Sequence, residues 1–228
     1  MEDDLMDGRT DWLIAGAATG LWLLCLGSDA MAAWLLVEDG PVETLSAVLY
    51  LAAAVVALAG TGGRPWLRRG VAGLALLCFL SEISFGARLF GYAMPAMQGG
   101  GELDGGQDLA MLLWRQARPW LSAHKAAVLT ATALGAGLLL WRLWPLLLAV
   151  ARPLADRPAE RRAVIAVVLL ALAVLIDLDI RPYLVLRRLE EVVELAAAGF
   201  LLAAALAHGC QPAFRFRRPA VARGLRRP

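Results

Sequence analysis

Long apolar runs alternate along the chain with short clusters of charge, glycine and proline. Six runs stand out: 12–36, 41–60, 71–92, 126–150, 163–180 and 191–208. Each approaches the roughly 20 apolar residues needed to cross the ~30 Å hydrocarbon core of a bilayer. They are too long for strands and too evenly apolar for amphipathic surface helices. Lipid offers the backbone no hydrogen-bond partner, so such runs fold as helices. Alternating segments of about ten residues, the mark of a membrane β-barrel, do not occur. The pattern predicts an all-α fold, a polytopic transmembrane helical bundle of about six spans forming a single domain. Span two carries a clear start signal: Asp39 or Gly40 as cap, Pro41 in the first turn and Glu43 close behind.

Between spans three and four lies the one long loop, 93–125. It opens on a glycine-rich stretch, Gln98 to Gly106. Phosphate-cradling loops need a helix start and a Lys or Ser/Thr in register, and neither is here, so the stretch reads as a linker. Leu109 to Trp114 is apolar, bounded by Arg115 and Pro119, and too short to span. It reads as a helix lying on the membrane surface or as a re-entrant piece. A basic tail, 209–228, closes the chain.

Composition sharpens this picture. Of 228 residues 60% are hydrophobic and the mean hydropathy is +0.63, where soluble domains lie nearer half apolar. Arg9, Arg64, Arg68 and Arg69, Arg152, Arg157, Arg161 and Arg162, and the six tail arginines put fourteen basic residues on one side. Arg115, Arg118, Lys125, Arg181, Arg187 and Arg188 put six on the other. The positive-inside rule assigns the richer side, with both termini, to the cytoplasm and the loop 93–125 to the outside. Trp12, Trp66, Trp141 and Trp144 near inner edges, and Trp34, Trp114 and Trp120 near outer ones, fit aromatic belts. The acidic N-terminus (Glu2, Asp3, Asp4, Asp7) lacks the basic region of a signal peptide. The expected location is a bacterial inner membrane.

Candidate chemistry gathers on the outer side. Asp29 lies in the outer third of span one and Glu43 at the outer start of span two. Glu82 and Arg88 lie in span three, Asp177 and Asp179 close span five, and Glu190, Glu191 and Glu194 open span six. Glu82 is the most exacting. About 12 residues from the inner edge, it lies roughly 18 Å deep at 1.5 Å per residue. A charge there costs about 2.5–3.5 kcal/mol on insertion scales, so it has to face protein or water with a partner, or carry a proton. In a continuous helix Arg88, six residues on, points about 120° away from Glu82 and reaches it only through long side chains, unless each pairs with another helix. Ser81, Ser84 and Arg88 would share one stripe. Glu191 and Glu194 are three apart and Glu190 and Glu194 four apart; both spacings crowd carboxylates on one face, favouring a shared proton or a cation. The plainer reading makes Glu190 and Glu191 solvated first-turn acids, Glu43 a cap, and Asp177 a solvated helix end beside Arg181.

Other features exclude more than they assign. Cys25, Cys78 and Cys210 form no CxxC pair, and His124 and His208 are too far apart for a metal site, so no cofactor or metal is expected. No folded basic module for nucleic acid is present. Gly16 to Gly20 is a GxxxG that allows close helix approach. Membrane lipids, and other membrane subunits, are the partners to expect.

The segment Glu82-Ile83-Ser84-Phe85-Gly86-Ala87-Arg88-Leu89-Phe90-Gly91 resembles the signature of an uncharacterised family of bacterial multi-pass membrane proteins, in which it reads approximately EEISWGQRLFG. The acidic entry Glu38 to Glu43 and the Glu-rich start of span six are also similar. Ser81, Phe85 and Ala87 depart from the pattern, and the Asn-Leu-His-Asn stretch that follows in the family is replaced by glycine-rich sequence. The resemblance implies membrane residence and no established activity. Three functions stay open. One is a non-catalytic scaffold or accessory subunit, favoured because no nucleophile–base pair or nucleotide motif is legible. Another is a small proton- or cation-coupled transporter using Glu82, against which no inverted repeat or broken helix shows. The last is an enzyme acting on a lipid headgroup at the outer leaflet, with Glu82 or Glu194 as base and Arg88 holding phosphate.

Overall fold

The computed structural model describes residues 2–37, 40–97, 107–124, 157–177 and 184–210, together with residues 130, 134, 135, 138 and 142. The regular elements among them are helical: α1 (Glu2–Gly27), α2 (Asp29–Leu35), α3 (Pro41–Ala59), α4 (Pro65–Glu82), a 3₁₀ turn (Ser84–Gly86), α5 (Ala87–Phe90), α6 (Gln107–Ala123), α7 (Pro158–Asp177) and α8 (Leu184–Cys210).

Among the described residues three helices are long and apolar enough to cross a membrane: Gly8–Gly27 within α1, Pro41–Ala59, and Leu189–Gly209 within α8. The bent pair α4 and Ser84–Phe90 makes a fourth if it counts as one span. Most of the expected span 126–150, the linker 98–106 and the tail beyond 210 lie outside the described residues. The expected span 163–180 corresponds to α7. Its uninterrupted apolar run, between Arg162 and Asp177, measures about 21 Å at 1.5 Å per residue, short of a ~30 Å core. The expected first span, 12–36, is not one helix. Ser28 interrupts it, its hydroxyl accepting from the Met31 amide at 3.3 Å, and a new short helix begins at Asp29. A serine–aspartate cap inside an apolar run is nearly invisible to hydropathy.

The helices start and stop for local reasons. Pro41 and Pro65 occupy first-turn positions of α3 and α4, where a missing amide hydrogen costs nothing. α6 joins the expected apolar stretch 109–114 to the residues around it as one helix. It is the most amphipathic of the longer described helices and carries Pro119 inside it.

α8 forms the centre, with most of its apolar stretch buried, and it packs against α7, α3, α1 and α4. Its buried face is mostly alanine: Ala197, Ala198, Ala204 and Ala205. α3 meets it with Ala53, Ala54 and Ala57, while Leu45, Val48, Leu51, Val55 and Leu58 point outward. Small residues inside and large aliphatics outside reverse the soluble pattern. The arrangement suits lipid, where close backbone approach, rather than exclusion of water, drives packing.

The same contacts give the helices their directions. Asp11 binds Arg161 and Arg162, so α1 and α7 begin at one end of the bundle. α3 finishes there too, because a Cβ on Gly60 would lie 3.3 Å from the Gly209 backbone. Here α4 starts, and His208 near the end of α8 lies close to Glu160 and Arg68. We call this the arginine end. The opposite, carboxylate end holds the start of α3, the end of α4 and the start of α8.

Candidate functional site: a carboxylate cluster at a broken helix

The expected third span, 71–92, breaks where its chemistry begins. α4 runs to Glu82. Ser84 and Phe85 then take positive φ values of 48° and 50°, and Gly86 takes 100°. The chain resumes as the one-turn stub α5, and the segment Ser84–Phe90 as a whole is bent by 64° from α4. Left-handed backbone costs a Cβ-bearing residue about 1–2 kcal/mol, so two such residues in a row need compensation. Tyr92 supplies part of it: its hydroxyl donates to the Phe85 carbonyl at 2.6 Å. Gly86 donates its amide to Ile83 at 2.8 Å. The stub itself stops at Gly91, with φ 70°, a glycine helix stop.

Arg88 holds the break together. One guanidinium nitrogen, Nη1, donates to the Glu82 carbonyl, which the interruption of the helix leaves available, and to Glu43 Oε1 at 2.6 Å. Both side chains of the Arg88–Glu43 pair are largely shielded. In a continuous helix Arg88 would point about 120° away from Glu82; the bend brings it back. The proposed stripe of Ser81, Ser84 and Arg88 therefore does not exist, since Ser84 lies within the break.

Around this staple the structure gathers acids from three helices. Glu82 is 8% exposed and lies within electrostatic reach of Glu43, Glu191 and Arg88. One layer deeper, Tyr50 is 1% exposed and donates its hydroxyl to the Glu194 carbonyl at 3.1 Å, tying α3 to α8. Tyr50 and Cys78 feel the charges of both Glu82 and Glu194. Of the eight residues singled out from sequence, Glu82, Arg88, Glu43, Glu191 and Glu194 thus converge, with Ser84 forming the break beside them. Asp29 instead opens α2 at an exposed first-turn position, where the helix dipole favours an acid. Asp177 ends α7, and Asp179 lies outside the described residues.

Two cluster members escape a charge-based reading. Tyr50 lies seven residues after Glu43, on the same helical stripe as Val42, Ser46 and Ala53. Cys78 lies one turn before Glu82. Both could have been found by extending each acid's stripe inward. Among the described residues, no three of His, Cys, Asp and Glu are arranged to hold a metal ion. Compared with known proteins, the chain matches no family model, no curated protein and no solved structure.

Proposed function

We propose that the protein is a multi-pass protein of a bacterial inner membrane that carries a proton, with Glu82 as the exchanging group. The positive-inside rule orients the arginine end to the cytoplasm and the carboxylate cluster to the outside. One observation carries the reading: the broken span that starts immediately after a buried carboxylate and is tied to its neighbour by Arg88 and Glu43. Broken helices recur at the ion sites of transporters, because irregular backbone within a bilayer has to line a site or be covered by protein. Here the break lies about 26 Å along α4 at 1.5 Å per residue, toward the carboxylate end rather than at the midplane. The objection that no broken helix is legible in the sequence therefore falls away. The acids of the cluster come from separate spans, so movement of the stub relative to α3 and α8 would change the surroundings of Glu82. These residues are also those that carry the family resemblance.

The test is proton uptake into liposomes driven by an imposed potassium diffusion potential, read by an internal pH dye. Wild-type protein is expected to give uptake above empty liposomes, and Glu82→Gln to remove it while eluting as a folded monodisperse species. Equal uptake by both proteins would rule Glu82 out as the carrier.

A second reading, a non-catalytic accessory subunit, draws on α1. Its apolar stretch is almost wholly unburied among the described residues, and Cβ atoms added at Gly16 and Gly20 would meet nothing within 4 Å there. A small-residue face that open suits a partner helix. Stoichiometric protein partners after gentle purification, lost in Gly16→Leu, would favour it. The lipid-headgroup enzyme is supported least, because the guanidinium meant to hold phosphate is engaged by Glu43 and the Glu82 carbonyl.

A further inference from the structure

At the arginine end, α4 and α7 start side by side and leave a cleft between them. It encloses about 570 Å³, within the ~300–1,000 Å³ typical of small-ligand sites. Leu67, Val71 and Leu74 of α4 form one wall, Ala163, Val164 and Val167 of α7 the other, and Leu201 of α8 the floor. Leu67, Val71 and Leu74 follow at four- and three-residue steps, and Val167 follows Ala163 by four and Val164 by three, so each wall is one apolar face. The apolar part is about 10 Å long at 1.5 Å per residue.

Polar groups appear at one end. Arg64 directly precedes the first turn of α4 and Arg157 the first turn of α7, and both line the mouth. Trp66, 67% exposed, lines it as well, as tryptophans do at the level of lipid headgroups. Glu160 also lines the cleft, and among the described residues its Oε2 is buried without a hydrogen-bond partner. Its negative charge opposes an anion there. Arg68, which like Glu160 lies close to the fully buried His208, offsets part of it.

We infer that this cleft is a binding site for an anionic glycerophospholipid of the leaflet at the arginine end. An acyl chain lies between the stripes of α4 and α7, and the phosphate sits between Arg64 and Arg157. Charge complementarity selects the occupant: two arginines at the helix starts, at headgroup level, above a slot whose described lining holds no other cation. The unpartnered Glu160 oxygen is an acceptor for a headgroup hydroxyl, which favours a glycerol headgroup. The site is separate from the Glu82 cluster and stands whether or not the protein carries protons.

The full chain, stripped of lipid in mild detergent, is titrated with phosphatidylglycerol or phosphatidylcholine and weighed intact by native mass spectrometry. Wild-type protein is expected to retain one phosphatidylglycerol at several-fold lower concentration than phosphatidylcholine. The double variant Arg64→Ala, Arg157→Ala, which changes two exposed side chains, should lose that preference. Val167→Trp, which fills the slot, should weaken retention of both lipids. A wild-type protein without headgroup preference, or a preference that survives the arginine variant, overturns the proposal. So does a dimer that Val167→Trp converts to monomer, which would make the cleft a self-interface. A disulfide between Val164→Cys and Leu138→Cys would overturn it as well, by filling the cleft with the chain's own residues.

Discussion

The two ends of the bundle use charge in opposite ways. At the arginine end, Asp11 of α1 receives Arg161 Nη2 and Arg162 Nε on its two oxygens, each at 2.6 Å. All three residues sit in unbroken helix, and Arg162 is 3% exposed. The group clamps α1 to α7, and α1 otherwise touches mainly α8 and the short α2. At the carboxylate end, one arginine divides its bonds between a carboxylate and a carbonyl freed by a broken helix, beside further acids. The first arrangement closes its charges on each other; the second leaves an acid, Glu82, buried at a joint. Pairing between intact helices gives a clamp, whereas the same residue types at a backbone break give a place that can change state.

The largest effect should come from breaking the clamp. Asp11→Ala removes a carboxylate shared by two arginines, one of them buried, and breaking such a pair costs up to about 3–5 kcal/mol. A clear drop in melting temperature in detergent checks this, and an unchanged value would mean that the clamp contributes nothing. Arg88→Ala comes next. It removes the Glu43 pair and the tie to the Glu82 carbonyl, at roughly 2–3 kcal/mol for bonds to a charged group. Its signature is local: amide exchange should accelerate across residues 84–90 and not across 65–80. Uniform acceleration would make Arg88 a general stabiliser rather than the staple of the break.

Gly86→Ala sharpens the comparison at the backbone. With φ at 100° and a new Cβ 3.2 Å from the Phe90 ring, it should cost about 1–2 kcal/mol. Gly70→Ala, in α4 with open space around it, should instead be neutral or gain up to ~1 kcal/mol. Matching melting temperatures for the two would deny the break any special backbone demand. The smallest expected effect is Tyr50→Phe, which deletes one hydroxyl bond to the Glu194 carbonyl, about 0.5–1.5 kcal/mol. If proton uptake changes while stability shifts that little, Tyr50 belongs to the site and not just to the packing.

Hydropathy anticipated the helices best where the run is uniform and its start is marked. Span two, expected at 41–60, is Pro41–Ala59, and span six, expected at 191–208, lies within Leu184–Cys210. It failed at 28 and at 83–86, because a single serine or a left-handed turn barely alters an average taken over many residues. For the candidate site, the cost of burying ionisable groups in lipid was enough to pick Glu82, Glu43, Arg88, Glu191 and Glu194. The same rule also picked Asp29, which the structure leaves exposed at a helix start. Residues without formal charge, Tyr50 and Cys78, carried no such cost and were passed over.

By itself the sequence determined that this chain makes apolar helices and which of its acids are costly. Those properties follow from composition and from order along the chain: hydrophobic length, charge and spacing. Tertiary structure alone decided that α4 bends after Glu82, that Arg88 turns back to Glu43, and that α8 rather than α3 or α4 forms the centre. The Arg88–Glu43 pair and the central place of α8 depend on close contact between residues far apart in sequence. The bend that serves them rests on a backbone turn that an average over many residues does not register.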